Sequence, residues 1–180
     1  METAWELGLN PALLLVRYDS ASSLFFVRNQ LRERVNVTSS RDALNGYQKG
    51  KCFYCYRDIS IVTGCASLAD VDHFLPHTLL VRAATEENLN GVWNLVLACQ
   101  ECNRGEKGKS ARVPHLKYLE RLHKRNNFLI DSHHPLRETL IAQTGATESL
   151  RQRFLQQEYD TAKLLLIHHW SPLEELESAF

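Results

Sequence analysis

The sequence has no excess of charge of either sign and no long hydrophobic run. Its 180 residues contain 21 Lys and Arg against 21 Asp and Glu, so the formal net charge is zero. A general nucleic-acid coat protein is strongly basic, and this balance argues against that class. No apolar run approaches the roughly 18–20 residues that a membrane-spanning helix needs. We therefore expect neither a coat protein nor a membrane protein.

The start of the chain also lacks the features of an export signal. Glu2 and Glu6 lie where a signal peptide carries positive charge, which predicts a cytoplasmic protein. Hydrophobic residues at 44% and charged residues at 23% are ordinary values for globular proteins, so neither disorder nor a fibrous repeat is expected. The length fits one compact domain, or a small domain with an appendage.

Five cysteines provide the strongest local signal. Their odd number, without an export signal, favours reduced thiols over a disulfide framework. Cys52 and Cys55 form one Cys-x-x-Cys pair, and Cys99 and Cys102 form another; two such pairs can present four thiolates to zinc at ~2.3 Å. The alternatives are unrelated pairs of buried cysteines, or a redox pair between a strand and a helix. The fifth, Cys65, is expected to be a small buried residue.

Sequence patterns divide the chain into three segments, 1–48, 49–112 and 113–180. The first is predicted to be helical. Asn-Pro at 10–11 marks a helix start, apolar residues spaced by four favour a helix over 23–35, and a serine at 39 or 40 can cap a short helix through Tyr47.

The third segment is also predicted to be helical. Leucines at 116, 119 and 122 mark one helix, and His-Pro at 134–135 begins a second that Gly145 ends. Thr147 caps a long helix whose apolar repeat continues to Trp170, before Ser-Pro at 171–172 ends it.

The middle segment contains the candidate chemistry. Residues 70–76 alternate polar and apolar, so they predict a strand with Asp70 and Asp72 on one face and His73 near its end. Residues 91–99 predict a second short strand that leads into the second cysteine pair. Closing the two pairs on one metal ion would bring Asp72 and His73 beside Asn94 and Asn103. Oxygen ligands such as Asp72 and the Asn103 carbonyl suit Mg²⁺ or Mn²⁺.

Taken together, these motifs resemble the HNH endonuclease family, and more narrowly its four-cysteine branch. The matching positions cover about residues 50–110 and comprise Asp72-His73-x-x-Pro76, Asn94-Leu95 and Cys99-x-x-Cys102-Asn103 followed by Lys107. The family has histidine or asparagine at its last motif position, and Asn103 stands there in this chain. The resemblance implies an α+β fold, in which a ββα-metal finger with structural zinc is flanked by N-terminal and C-terminal helices.

The resemblance also implies a role for each motif residue. His73, with an ordinary histidine pKa near ~6.5, would accept the proton of the attacking water. The Asn94 carbonyl would accept the other ring N–H of His73 and so orient it. Asp72 and Asn103 would hold one catalytic Mg²⁺ or Mn²⁺ ion. Cys52, Cys55, Cys99 and Cys102 would hold one structural Zn²⁺ ion and would not touch the substrate.

A local basic stretch follows the second cysteine pair. Between Cys99 and Arg125 the chain has eight Lys and Arg against three acidic residues, a local net charge of +5. The side chains expected to bind substrate phosphates are Arg104, Lys107, Lys109 and His77. The basic residues over 117–125 can equally be one solvated helix face, and acidic residues at 174–177 close the chain.

The function expected from these features is metal-dependent hydrolysis of DNA phosphodiester bonds by an HNH endonuclease. The alternative is a non-catalytic zinc-stabilised module that binds nucleic acid or protein. A neutral chain with one local basic stretch predicts weak, salt-sensitive DNA affinity. We therefore also expect a protein partner or neighbouring domain, such as an ATPase, helicase or guide-bearing protein, in a restriction, phage-defence or mobile-element system.

Overall fold

The computed structural model describes residues 17–19, 21–22, 24–28, 34–76, 78–79 and 89–180. Across these ranges helices and small sheets alternate, so the predicted α+β class is confirmed. The helix start predicted at 10–11 lies outside the described residues. None of the helices within these ranges is long and apolar enough to cross a bilayer.

The first described unit is a three-stranded antiparallel sheet, not the predicted helix over 23–35. Strands β1 (Arg17–Asp19), β2 (Leu24–Arg28) and β3 (Arg34–Ser39) pair in the order β1-β2-β3. The sequence Phe-Phe-Val at 25–27 and the alternating Val-Asn-Val-Thr at 35–38 favour extended chain, because aromatic and β-branched residues suit a pleated surface. Val27 and Val35, which gave part of the four-residue spacing, belong to two separate strands.

Helix α1 (Ser40–Gln48) follows directly and confirms the short helix predicted here. Its last residue, Gln48, is buried and bonds both backbone groups of Leu97, with its Nε2 donating to the carbonyl and its Oε1 accepting from the N–H, each at 2.8 Å. Left-handed backbone at Lys49 and Gly50, with φ of 48° and 76°, then ends the helix. The glutamine thus fastens α1 to the middle of the chain.

The centre of the described structure is a two-stranded antiparallel sheet followed by a helix. Strands β4 (Asp70–His73) and β5 (Leu95–Ala98) pair antiparallel, with Asp72 opposite Val96 and His73 opposite Leu95. Residues 92–94 form a 3₁₀ turn before β5, which shortens the strand predicted over 91–99. Helix α2 (Gln100–Arg104) begins immediately after β5, with the Cys99 side chain accepting a hydrogen bond from the Cys102 N–H.

The last segment forms three helices, as predicted. Strand β6 (Val113–Pro114) leads into α3 (Leu116–Asp131), α4 (Arg137–Thr144) and α5 (Glu148–Leu165). Gly145, with φ of 122°, ends α4, and the Thr147 hydroxyl accepts a hydrogen bond from the Leu150 N–H at the start of α5.

Helix α5 ends at Leu165, five residues before the predicted end. Trp170 instead belongs to strand β7 (His169–Trp170), which pairs parallel with β6. Its indole is buried against the Tyr54 ring at 5.1 Å between centroids, and Nε1 donates to the Lys107 carbonyl at 2.8 Å. Because its ring is buried and its N–H has a hydrogen-bond partner, Trp170 is stable in this strand and does not extend helix α5.

Candidate functional site

Four cysteine side chains meet at one point between the turn at residues 52–55 and the start of α2. The sulfur atoms of Cys52, Cys55, Cys99 and Cys102 all lie within 4.8 Å of one another. None of the four residues is more than 9% exposed. The backbone N–H of Cys99 donates to the Cys52 sulfur at 3.3 Å, and the N–H of Cys102 donates to the Cys99 sulfur at 3.4 Å.

This geometry could hold a metal ion such as zinc. Tetrahedral coordination with Zn–S bonds of ~2.3 Å separates neighbouring sulfurs by ~3.8 Å. The Cys55 and Cys99 sulfurs are 3.8 Å apart. The donor set of four buried sulfurs therefore fits the predicted zinc.

Cys65, in contrast, is exposed and lies outside this cluster. The expectation that it is a buried residue was wrong. It lies in the turn-rich segment 61–69, where Ser60 and Leu68 pair through a single bridge and Gly64 adopts a φ of 88°. Such a short irregular segment leaves one side of the chain in solvent.

The carboxylate of Asp72 is buried on β4, at 7% exposure. Its Oδ2 accepts a hydrogen bond from the Tyr54 hydroxyl at 2.7 Å, and its Oδ1 is 3.2 Å from the Lys109 ammonium. Burial raises the pKa of Asp72, while Lys109 and the Tyr54 hydroxyl oppose that shift. Burial of the Tyr54 hydroxyl, together with the neighbouring Asp72 charge, raises the pKa of Tyr54. Asp72 is thus held between the cysteine turn and the loop after α2.

Lys109 is in the interior, not on a phosphate-binding surface. Its side chain is 1% exposed, and Nζ donates to the His73 carbonyl at 2.9 Å in addition to pairing with Asp72. The expected contact between Lys109 and substrate phosphate is not compatible with this burial. The sequence could not show it, because a lysine beside glycines normally lies in an exposed turn.

The His73 imidazole contacts an asparagine other than the expected one. Its Nε2 lies 3.0 Å from Oδ1 of Asn90, and its ring is edge-on to Tyr18 at 6.0 Å between centroids. When Nε2 carries the proton and donates to Asn90, Nδ1 keeps the lone pair that a general base needs. The asparagine that contacts the His73 ring in the described residues is therefore Asn90, and not the predicted Asn94.

Asn94 is fully buried and uses its amide on the backbone. Oδ1 accepts from the Leu75 N–H at 2.8 Å, and Nδ2 donates to the carbonyls of Leu75 at 3.1 Å and Leu89 at 2.8 Å. The backbone carbonyl of Asn94 also accepts from the Phe74 N–H at 2.7 Å. Asn94 thus fixes the chain that leaves β4 just after His73.

Asn103 lies on α2 and faces β4, but its partner is Asp70. Its Nδ2 donates to Asp70 Oδ2 at 3.1 Å, and the same oxygen is 2.9 Å from Nε of Arg104. Asp72 and Asn103, which were expected to hold one ion together, lie on the neighbouring elements β4 and α2 and have separate hydrogen-bond partners. Arg104, expected to bind phosphate, already pairs with a carboxylate. His77 lies outside the described residues.

Much of the basic stretch is engaged within the protein. Arg121 and Lys117 both contact the Glu175 carboxylate from the C-terminal segment, and Lys124 pairs with Glu120 at 2.9 Å. Lys109 and Arg125 are buried at 1% exposure each, whereas Lys107 is exposed. The local charge of +5 therefore overstates the positive surface that DNA would meet.

Sequence reasoning missed three partners of the candidate site, namely Tyr18, Tyr54 and Asn90. Tyr54 lies inside the first Cys-x-x-Cys pair, so its closeness to the cysteine cluster could be predicted. Its hydrogen bond to Asp72 could not. Asn90 precedes Gly91 and looks like an ordinary turn residue. Tyr18 comes from a segment with no visible link to His73.

The comparisons with known proteins add no relative. No family model matches the chain, and neither a curated protein nor a solved structure matches it.

Proposed function

We propose that this protein is a zinc-stabilised, metal-dependent endonuclease of the HNH type that hydrolyses DNA phosphodiester bonds. The observation that carries the proposal is the order strand, strand, helix with the motif residues on it. Asp72 and His73 end β4, Asn103 lies on α2, and a four-cysteine cluster closes the unit where β5 meets α2.

His73 is the proposed general base. Asn90 orients the imidazole through Nε2, and Asn94 holds the backbone that follows His73. In this tautomer Nδ1 would accept a proton from the water that attacks phosphorus. Water attack would break the bond from phosphorus to the 3′ oxygen, and products would carry a 5′-phosphate and a 3′-hydroxyl.

Asp72 and Asn103 are the proposed ligands of one catalytic Mg²⁺ or Mn²⁺ ion. An ionised carboxylate offers about four lone-pair positions, and Tyr54 and Lys109 use two of those on Asp72. Asn103 bonds Asp70 through Nδ2, which leaves its carbonyl Oδ1 as the atom to offer a cation. These are the hard oxygen donors that such ions prefer. When bound, the ion would stabilise charge on the phosphate and the leaving oxygen.

A partner that supplies DNA affinity is part of the proposal. In the described part of the chain, Lys117, Arg121 and Arg104 already pair with carboxylates, which makes these three cations less available to phosphate. An ATPase, helicase or guide-bearing protein of a defence, restriction or mobile-element system would supply the remaining contacts.

A plasmid-nicking assay tests the proposal. Zinc-loaded wild type is compared with His73→Ala in Mg²⁺, in Mn²⁺ and without added divalent metal, and His168→Ala serves as the control because His168 is an exposed histidine far along the chain. We expect nicking that needs added metal, survives in the control and is lost in His73→Ala. A wild type that binds plasmid without cutting it, with or without cellular partners, would instead support the non-catalytic binding module.

A further inference from the structure

We propose that Lys109 is a positioning residue of this site, which holds Asp72 and the main chain of His73 together and does not bind substrate phosphate. The inference rests on the proposed function, because those two residues are its metal ligand and its base. In this role the buried side chain of Lys109 joins β4 to the loop after α2.

The contacts of the ammonium group are the first argument. A lysine ammonium has three N–H donors. In this structure Nζ is 3.2 Å from Asp72 Oδ1, 2.9 Å from the His73 carbonyl and 3.3 Å from the Ser110 carbonyl. Three acceptors match three donors, so no hydrogen-bonding capacity remains for a phosphate.

The second argument is how the loop places this side chain. The N–H of Lys109 donates to the Cys102 carbonyl at 2.6 Å, and the N–H of Gly108 donates to the Gly105 carbonyl at 2.8 Å. A Cβ at Gly108 would lie 2.8 Å from the Glu101 carbonyl oxygen, so the tight approach requires glycine. The turn therefore directs Lys109 inward, beside Cys102 of the four-cysteine cluster.

The third argument is the continuity of the polar contacts. Tyr54, between Cys52 and Cys55, donates to one oxygen of Asp72, and Lys109 pairs with the other. The Asp72 carboxylate is thereby fixed from the cysteine turn on one side and from the loop after α2 on the other. Without Lys109, a buried carboxylate and the His73 carbonyl would each lose a partner, and the strand end would be free to shift. A displacement of about 1 Å near a reacting group can cost ~100-fold in rate.

Matched variants of two neighbouring lysines test the inference. Lys109→Met and Lys107→Met each remove one charge from the same loop, one buried and one exposed. Plasmid cleavage is measured for kcat and KM over a series of salt concentrations. We expect Lys109→Met to lower kcat by roughly 10- to 100-fold, with little change in KM or in the salt dependence of binding. We expect Lys107→Met to raise KM and to reduce the salt slope by about one.

The opposite pattern would overturn the inference. If Lys109→Met raises KM and lowers the salt slope while kcat is retained, Lys109 is a phosphate contact. If Lys109→Met does not fold, Lys109→Arg is used. An arginine at a phosphate contact would keep cleavage near the wild-type level, whereas the larger guanidinium in the buried site should lower kcat.

Acetylation of wild-type lysines, mapped by mass spectrometry, provides a readout without activity. We expect the folded protein to be labelled at Lys107 and protected at Lys109, and labelling of both at equal rates would contradict the burial on which the inference depends. If wild type has no cleavage activity, with or without cellular partners, while Lys109 is protected, the proposed function fails although the buried contacts stand. If wild type cleaves and the two variants behave alike, only the positioning role fails.

Discussion

Asn94 uses its side chain to bond both backbone groups of Leu75, accepting from its N–H at 2.8 Å and donating to its carbonyl at 3.1 Å. A backbone stretch that leaves a strand has no neighbouring strand to satisfy these groups, and here a buried amide takes that place. Because Leu75 follows His73 by two residues, Asn94 affects the position of the candidate base by holding the backbone that follows it, and not by a contact with the imidazole ring.

Replacing Asn94 with alanine should therefore lower stability. The change removes partners from the Leu75 N–H and from the carbonyls of Leu75 and Leu89, and each unsatisfied buried group costs ~1–3 kcal/mol. We expect the free energy of unfolding, measured by chemical denaturation, to fall by more than ~2 kcal/mol.

Asn90→Ala is the matched comparison, since it removes the side chain whose Oδ1 lies 3.0 Å from His73 Nε2. We expect cleavage to fall in this variant while the free energy of unfolding stays within about 1 kcal/mol of wild type. Unchanged cleavage in Asn90→Ala, together with a stable Asn94→Ala that does not cleave, would return the orienting role to Asn94.

The cysteine cluster predicts a selective loss of metal. Cys102→Ser should lower zinc content, measured by elemental analysis of the purified protein, because an alcohol is a poor replacement for a thiolate ligand. It should also lower the midpoint of thermal unfolding, since binding of a structural metal contributes to folding.

Cys65→Ser is the control for this experiment, because Cys65 is exposed and lies outside the cluster. It should keep both the zinc content and the unfolding midpoint of wild type. A Cys102→Ser protein with full zinc and unchanged stability would disprove a structural role for the cluster.

The parts of the fold that depend on local sequence could be predicted, and the parts that depend on distant partners could not. The cysteine spacing and the caps at Thr147 and Gly145 are short-range signals that the structure contains, and the strand predicted over 70–76 is present but ends at His73. Spacing by four over 23–35 was ambiguous because periodicity alone does not separate one helix from two strands.

The arrangement within the candidate site was beyond sequence patterns for a different reason. Which asparagine reaches His73, and whether Lys109 faces inward, depend on packing between segments far apart in the chain. The +5 stretch was equally misleading, because the carboxylate that pairs with Lys117 and Arg121 lies more than fifty residues away.

Arg125 should be essential for stability although it is far from the cysteines. It is 1% exposed, and its guanidinium donates to the carbonyls of Trp93 at 3.0 Å and Leu95 at 2.9 Å, on either side of Asn94. Burial lowers the pKa of Arg125 to about 9. Arg125→Met should lower the free energy of unfolding by ~2–4 kcal/mol. The variant loses the planar guanidinium, and the buried carbonyls that it bridges lose their hydrogen-bond donor.

Lys124→Met is the comparison for Arg125, because Lys124 is exposed on the same helix and pairs with Glu120 on the surface. Surface pairs of this kind contribute ~0.3–0.5 kcal/mol, so denaturation of Lys124→Met should be close to that of wild type. Equal stability of the two variants would show that Arg125 does not brace the turn at 92–95.

The C-terminal contact at Glu175 predicts a pH-dependent contribution to stability. Partial burial alone would raise the pKa of Glu175, but hydrogen bonds from Lys117 and Arg121 outweigh it and lower that pKa in the folded protein. A carboxyl with a lowered folded-state pKa stabilises the protein above its unfolded value of ~4.3, and that contribution is lost as the pH falls through the folded-state value. Glu175→Gln should therefore unfold at a lower temperature than wild type at pH 7, by about 2–4 °C, and the difference should shrink toward pH 3.

Glu174→Gln is the control, because Glu174 is 78% exposed and lies 3.7 Å from Arg57. It should match wild type at both pH values. A difference for Glu175→Gln that is the same at pH 3 and pH 7 would mean that the charge of this carboxylate does not hold the C-terminal segment on α3.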